Sequence, residues 1–136
     1  LELNEIGVKN AVLLLFGNRY ILPKQKIKLL TDTLIPISEQ AGIKNLIVDT
    51  AVLDLASISI SAETARRLKS EIGLPTGFAP SNAIFGWEFG KNYGKSSRCG
   101  AIASINTHAI DAGCDFVLFG PVKFASCVLP SIALIG

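Results

Sequence analysis

Four short motifs recur along this chain: Glu5-Ile6-Gly7, Gln40-Ala41-Gly42, Glu71-Ile72-Gly73 and Asp111-Ala112-Gly113, each with an apolar run a few residues later. Their glycines are spaced by 35, 31 and 40 residues. Each glycine closes a stretch of helical periodicity, and glycine accepts the left-handed conformation just past a helix end without steric cost. Helix, glycine, short loop and buried strand, repeated, is the pattern of βα units in a parallel sheet. It predicts strands at 10–16, 45–49, 76–79 and 115–119, and helices over 23–41, 60–72, 98–112 and 124–134. Pro23 suits a helix start, and Ser61, three residues before Thr64, is a partial N-terminal signal for the second helix. Pro36 predicts a kink or break in the first helix. In 82–97, Gly86, Gly90 and Gly94 predict a short helix and an excursion above the sheet.

These units place the chain in the α/β class. Four of them are half of a (β/α)₈ TIM barrel, which takes roughly 250 residues. The opening residues Leu1–Gly7 read as the tail of a helix, and Gly136 falls only a few turns into the last one. The expectation is a single partial barrel domain over 1–136, truncated at its N-terminus and at its C-terminus. A self-contained four-strand flavodoxin-like sheet is the structural alternative. Half a barrel leaves sheet edges unpaired, so self-association into a homo-oligomer is expected.

Composition narrows the function. Apolar residues make up 49% of the chain and mean hydropathy is +0.45. No apolar run approaches the ~20 residues of a membrane helix, and no secretory signal opens the chain. Net charge is +2 with both signs dispersed, which gives no basic stripe for nucleic acid. Lys24, Lys26 and Lys28 read as one solvated helix face. Cys99, Cys114 and Cys127 match neither a disulfide framework nor a metal-ligand spacing. Cys114 and Cys127 are expected in the core, and a reducing, cytoplasmic compartment follows. The single histidine, His108, lies in a predicted helix away from the strand ends, so no triad or metal site is expected. Gly90-Lys91-Asn92-Tyr93-Gly94-Lys95-Ser96 imitates a phosphate loop but has three residues between its glycines instead of four. Trp87 reads as packing under the irregular loop, with a place beside a planar ligand as the other possibility.

In parallel α/β folds, chemistry gathers at the carboxyl ends of the strands. Polar residues fall there: Gly17, Asn18 and Arg19; Asp49, Thr50 and then Asp54; Pro80, Ser81 and Asn82; Gly120, Pro121 and Lys123. Asp49 ends the apolar run Leu46-Ile47-Val48, where a carboxylate is costly to bury without a donor. It reads either as a cap for the next loop or as an acceptor for a ligand with adjacent donors, such as the amino-pyrimidinone edge of a pterin. Asp54 reads as a loop or cap residue. Ser81 and Asn82 read as helix caps, and Asn82 also as a donor and acceptor toward a ligand, in matching position with Asp49 on the neighbouring strand.

Three blocks within about 75 residues carry a family resemblance. They are Leu46-Ile47-Val48-Asp49-Thr50-Ala51-Val52-Leu53-Asp54 with Ser57-Ile58; Gly73-Leu74-Pro75-Thr76-Gly77-Phe78-Ala79-Pro80-Ser81-Asn82-Ala83 with Trp87; and Gly113-Cys114-Asp115-Phe116-Val117-Leu118-Phe119-Gly120-Pro121. In that order they resemble the MtrH component of tetrahydromethanopterin S-methyltransferases, with this chain as roughly its C-terminal half. The resemblance implies a dihydropteroate synthase-like, pterin-binding (β/α)₈ barrel. Such proteins move the N5-methyl of a tetrahydropterin to the cobalt of a corrinoid (cobalamin) carried by a partner protein, within a complex whose MtrH component is cytoplasmic and peripheral to the membrane. The methyl donor implied is tetrahydromethanopterin or tetrahydrofolate. Asp49 matches the aspartate that bonds the pterin ring, and Asn82 matches the asparagine that bonds near N5 and assists catalysis. Thr50, Ser81 and Gly120 complete the expected substrate-binding set; no metal ligand is expected. The Lys123-Phe124-Ala125-Ser126 region departs from the acidic and amide residues of that family.

Two further readings compete with this enzyme half, which in isolation is expected to be inactive. One is a non-catalytic pterin-binding scaffold that docks a corrinoid protein. The other is a different α/β enzyme binding phosphate at Gly120-Pro121, where Pro121 removes one backbone donor.

Overall fold

A computed structural model describes residues 5–19, 21–88, 92 and 94–135. Four strands, β1 (Asn10–Leu14), β2 (Asn45–Asp49), β3 (Thr76–Phe78) and β4 (Phe116–Val117), form one sheet in the order β1-β2-β3-β4. Every neighbouring pair is parallel. The four repeat glycines, Gly7, Gly42, Gly73 and Gly113, all have positive φ, between 69° and 94°. The periodic motif is therefore a set of helix ends that only glycine enters without strain.

Between the strands lie α1 (Pro23–Leu29), α2 (Ile35–Gln40), α3 (Leu55–Glu71), α4 (Ser81–Gly86) and α5 (Lys95–Asp111), and α6 (Ala125–Ala133) follows β4. Pro23 occupies the first turn of α1, and the Gln25 side chain accepts from the Ile21 and Leu22 amides at 3.1 and 3.0 Å. The break expected at Pro36 is a π-helical segment, Leu30–Leu34, between α1 and α2. A proline lacks the amide needed to continue the ladder, and the wider turn absorbs the lost bond. The short helix expected after residue 82 is α4.

Two sequence expectations change here. The second long helix begins at Leu55, with Asp54 as its cap: the Asp54 carboxylate accepts from Ser57 N at 2.8 Å, and Ser57 Oγ accepts from the Asp54 amide at 3.0 Å. Ser61 is not a helix start but a buried residue of the second turn. Cys127 is not free in the core either. It forms a disulfide with Cys99 that joins α5 to α6, with Cα atoms 6.2 Å apart. Packing brings together two cysteines that lie 28 residues apart in sequence. Cys114 is buried as expected, and burial pushes its thiol up to about 12.

Strand order bears on the two architectures. Right-handed crossovers that always advance one way place all connecting helices on the same face of the sheet. A doubly wound flavodoxin-like sheet reverses its order, and no reversal occurs among the described strands. Burial agrees: Leu13, Leu15 and Val48 pack with Leu30 and Leu68, while Phe78 packs with Ile58, Ala65, Ile102, Ala109 and Val128. On the other face Val12, Leu14 and Phe16 are 53%, 51% and 52% exposed. A four-strand parallel sheet with helices on one face is consistent with part of an α/β barrel.

The amino-terminal rim is tied by Asp115. Its carboxylate accepts from the Thr76 amide at 2.9 Å and from Lys69 Nζ at 2.8 Å. The Lys69 hydrogen bond, then that of Thr76, holds its pKa below the ordinary 3.8. A depressed carboxylate contributes stability above its unfolded value, and that contribution is lost as pH falls through the lower folded value. Asp115→Ala is expected to cost about 1 kcal/mol at pH 7, the partly exposed setting keeping it modest. The difference from wild type should shrink in urea melts below pH 3.8.

Candidate functional site

Cross-strand register lines up Leu14, Asp49, Gly77 and Phe116 in one row. Registered residues of parallel strands point to the same side, so Asp49 faces the side on which Leu14 is exposed, at the carboxyl end of β2. Just beyond this row is a cavity of about 190 Å³ lined by Leu14, Phe16, Asp49, Ala51, Val52, Leu53, Ala79 and Asn82. The two strand-end residues singled out from sequence therefore meet in one cavity. Asn82 stands exposed in the first turn of α4 and caps nothing; the residue preceding α4 is Pro80.

Asp49 is 8% exposed. Its Oδ1 accepts from the Ala51 amide at 2.8 Å. Ala51 has φ 61°, the sole positive φ outside glycine among the described residues. That left-handed residue folds the chain back over the strand end and turns its N–H onto the carboxylate. Burial raises the Asp49 pKa above its ordinary 3.8, while the Ala51 hydrogen bond and the charge of Lys26 pull it down. Oδ2 has no hydrogen-bond partner among the described residues.

The lysine cluster does not form one solvated face. Lys24 and Lys28 are exposed, but Lys26 is 5% exposed. Its Nζ donates to the Thr50 carbonyl, and to the Ala51 carbonyl at 3.2 Å. Burial draws its pKa below the ordinary 10.5, against the opposing pull of Asp49. The sequence held a signal for this: positions two apart on a helix are about 200° apart around the axis, so Lys26 had to face away from Lys24 and Lys28.

Thr50, Ser81 and Gly120 do not line the cavity. Thr50 is buried, with Oγ1 donating to the Ser61 carbonyl at 3.1 Å, and Ser61 Oγ donates back to the Ala51 carbonyl at 2.9 Å. Ser81 is buried, with Oγ accepting from Asn106 Nδ2 at 3.2 Å. Gly120 precedes Pro121 in a cis peptide bond at the end of the fourth unit. Thr50 and Ser81 support the backbone on which Asp49 and Asn82 stand. The helical Asn106, missed from sequence, is fully buried, and its Oδ1 has no partner among the described residues.

Other features fall away from this site. Trp87 packs against the core cluster, and His108 is exposed on α5. Of the phosphate-loop imitation, Gly90, Lys91 and Tyr93 lie outside the described residues; Gly94 onward leads into α5. Among the described residues no cluster of His, Cys, Asp and Glu could hold a metal, and no helix is long and apolar enough to cross a membrane. A hollow of about 540 Å³ at the amino-terminal strand ends is lined by Val12, Ile47 and Pro75 and by Asn10 and Asn45, whose side chains bond each other at 2.7 Å.

Comparison with known proteins adds a family. The family model described as "Tetrahydromethanopterin S-methyltransferase MtrH subunit" matches residues 2–136. Similar curated proteins include the corresponding tetrahydromethanopterin S-methyltransferase component of Methanopyrus kandleri, 26% identical over 98% of this chain and 48% of its own length. The counterpart from Methanosarcina barkeri is 28% identical over 98% of the chain and 46% of its own length. That of Methanococcus aeolicus is 30% identical over 76% and 37%. The chain thus spans about half the length of the curated relatives it matches.

Proposed function

This chain belongs to the family of the tetrahydromethanopterin S-methyltransferase MtrH subunit, and from that membership we propose that it supplies the pterin-contacting strand ends of a methyltransferase. The methyl donor is methyl-tetrahydromethanopterin. Its acceptor is the cobalt of a corrinoid held by a partner protein of the same complex, so no residue here is assigned to the metal. The strands complete a (β/α)₈ barrel with the rest of a full-length protein.

The observation that carries this reading is the convergence of Asp49 and Asn82 on one small cavity. Whole-ligand pockets run roughly 300–1,000 Å³, so about 190 Å³ suits one fused ring rather than an entire cofactor. The pterin's pyrimidinone edge presents adjacent N–H donors. A carboxylate with one oxygen committed to Ala51 offers the other to that edge. Leu14, Phe16 and Val52 provide apolar walls for the ring faces.

Asn82 acts at the reacting nitrogen. A tertiary amine leaves poorly unless N5 gains a proton or a strong hydrogen bond as the methyl departs. An amide donor at N5 stabilises the developing lone pair more than the methylated ground state, which accelerates transfer. No side-chain nucleophile is required, because the methyl acceptor belongs to the partner.

Calorimetric titration of methyl-tetrahydromethanopterin and methyl-tetrahydrofolate into a full-length version of this chain tests the reading. Saturable binding, tighter for the methanopterin, is expected; heat of dilution alone with both pterins sinks it. Asn82→Ala should leave affinity within about threefold while slowing methyl transfer in the assembled complex by roughly a hundredfold, the scale of one lost transition-state donor. Equal losses in affinity and rate would instead make Asn82 a ground-state contact.

A further inference from the structure

The most unusual buried charge in this fold is neither strand-end residue but Lys26, contributed by α1, which precedes β2 in sequence. Its ammonium reaches the carbonyls of Thr50 and Ala51, the two peptides immediately after Asp49. Ser61 Oγ, from α3, donates to the same Ala51 carbonyl at 2.9 Å. The left-handed Ala51 is thus held by donors from two different helices, and its own N–H donates to Asp49 Oδ1 at 2.8 Å. A non-glycine residue at φ 61° costs free energy and persists only where its surroundings hold it. A lysine buried to this degree is costly as well unless hydrogen bonded. Both costs, at Ala51 and Lys26, fall beside the carboxylate that lines the cavity.

We propose that Lys26 is a positioning residue of the ligand site: by clamping the Thr50 and Ala51 carbonyls it holds Ala51 left-handed, and through the Ala51 N–H it aims the Asp49 carboxylate. The ligand half of this proposal rests on the pterin reading above; the clamp itself does not. Lys26 is not among the residues lining the Asp49–Asn82 cavity; it lines an adjoining hollow of about 400 Å³ that shares Phe16, Ala51 and Leu53 with that cavity. Its hydrogen bonds go to the loop carbonyls.

The test uses Lys26→Met, which keeps the length and apolar stem but loses the donors. Lys26→Gln, which retains a shorter neutral donor, is carried in parallel should the methionine variant fail to fold. Two readouts are taken. Amide hydrogen exchange at Ala51, resolved by NMR, should quicken by roughly tenfold or more relative to strand amides such as Val48, because its bond to Asp49 is no longer enforced. Unchanged relative protection at Ala51 overturns the clamp. Affinity for methyl-tetrahydromethanopterin is then measured for wild type, Lys26→Met, Asp49→Asn and the double variant. If Lys26 acts through Asp49, its substitution weakens wild type by roughly tenfold but has little further effect once Asp49 is changed. Independent, multiplying losses assign Lys26 a merely structural role and overturn the positioning claim. Should wild type bind no pterin, the ligand reading and the ligand half of the proposal fall together, while the Ala51 exchange still decides the clamp.

Discussion

Gly77→Ala should unfold at a urea midpoint lower by roughly 1–2 M, a loss of about 3 kcal/mol. Gly77 sits in β3 between Asp49 and Phe116 in register. A Cβ there would lie 2.1 Å from the Phe116 carbonyl oxygen and 2.8 and 2.9 Å from two carbons of its ring. The ring can swing aside, but the carbonyl belongs to the paired strand and cannot yield without separating β3 from β4. That distinction gives the control. Adding Phe116→Ala removes the ring and leaves the carbonyl, so the double variant should recover none of the loss. Recovery would place the conflict in the side chain alone. Gly113→Ala is the second comparison, with φ +94° and open space around the added carbon. It should cost only about 1 kcal/mol, the strain of a left-handed alanine.

Asp49→Asn should weaken binding of methyl-tetrahydromethanopterin by about a hundredfold, near 2.7 kcal/mol, without a matching loss of stability. The asparagine oxygen can still accept from Ala51, so the loop keeps its shape. Its amide nitrogen then turns a donor toward the donors of the pterin edge. Calorimetry reads the first effect and urea melts the second. The pH dependence has a definite sign. Burial raises the Asp49 pKa above 3.8 in the folded protein, so between 3.8 and the raised value the native state binds more protons than the unfolded chain. Stability from this group therefore increases as pH falls through that window, and is least above it. Asp49→Asn removes this component, and its melts should lack that rise relative to wild type. A variant that loses stability and affinity together would make Asp49 a cap for its loop and nothing more.

The balance between these two substitutions describes the site. Gly77 clears space that the fold requires, whereas Asp49 gives up stability to keep a half-used carboxylate at the rim of a cavity. Buried polar groups that the fold does not need for its own closure are where ligand chemistry is expected.

Much of this was written locally. A glycine past a helix end is a one-residue requirement, so Gly7, Gly42, Gly73 and Gly113 marked the βα rhythm, and all four adopt positive φ. Apolar runs marked the strands, and the polar residues that end them marked the face on which Asp49 and Asn82 meet. The Pro36 break and the Asp54 cap likewise depend on backbone geometry within a turn or two. What sequence could not decide was which distant residues become neighbours. Helix periodicity turns Lys26 away from Lys24 and Lys28, but its partners, the Thr50 and Ala51 carbonyls just past β2, come only from the fold. Ser61 reads as a helix start until α3 begins six residues earlier and buries it. Cys99 and Cys127 become partners only when α5 meets α6, and Gly77 becomes indispensable only because Phe116 is the residue that pairs with it. Backbone preference acts over a few residues and survives any packing; the partner of a buried charge, thiol or missing Cβ is set by contacts between segments far apart in the chain, and only the folded arrangement supplies them.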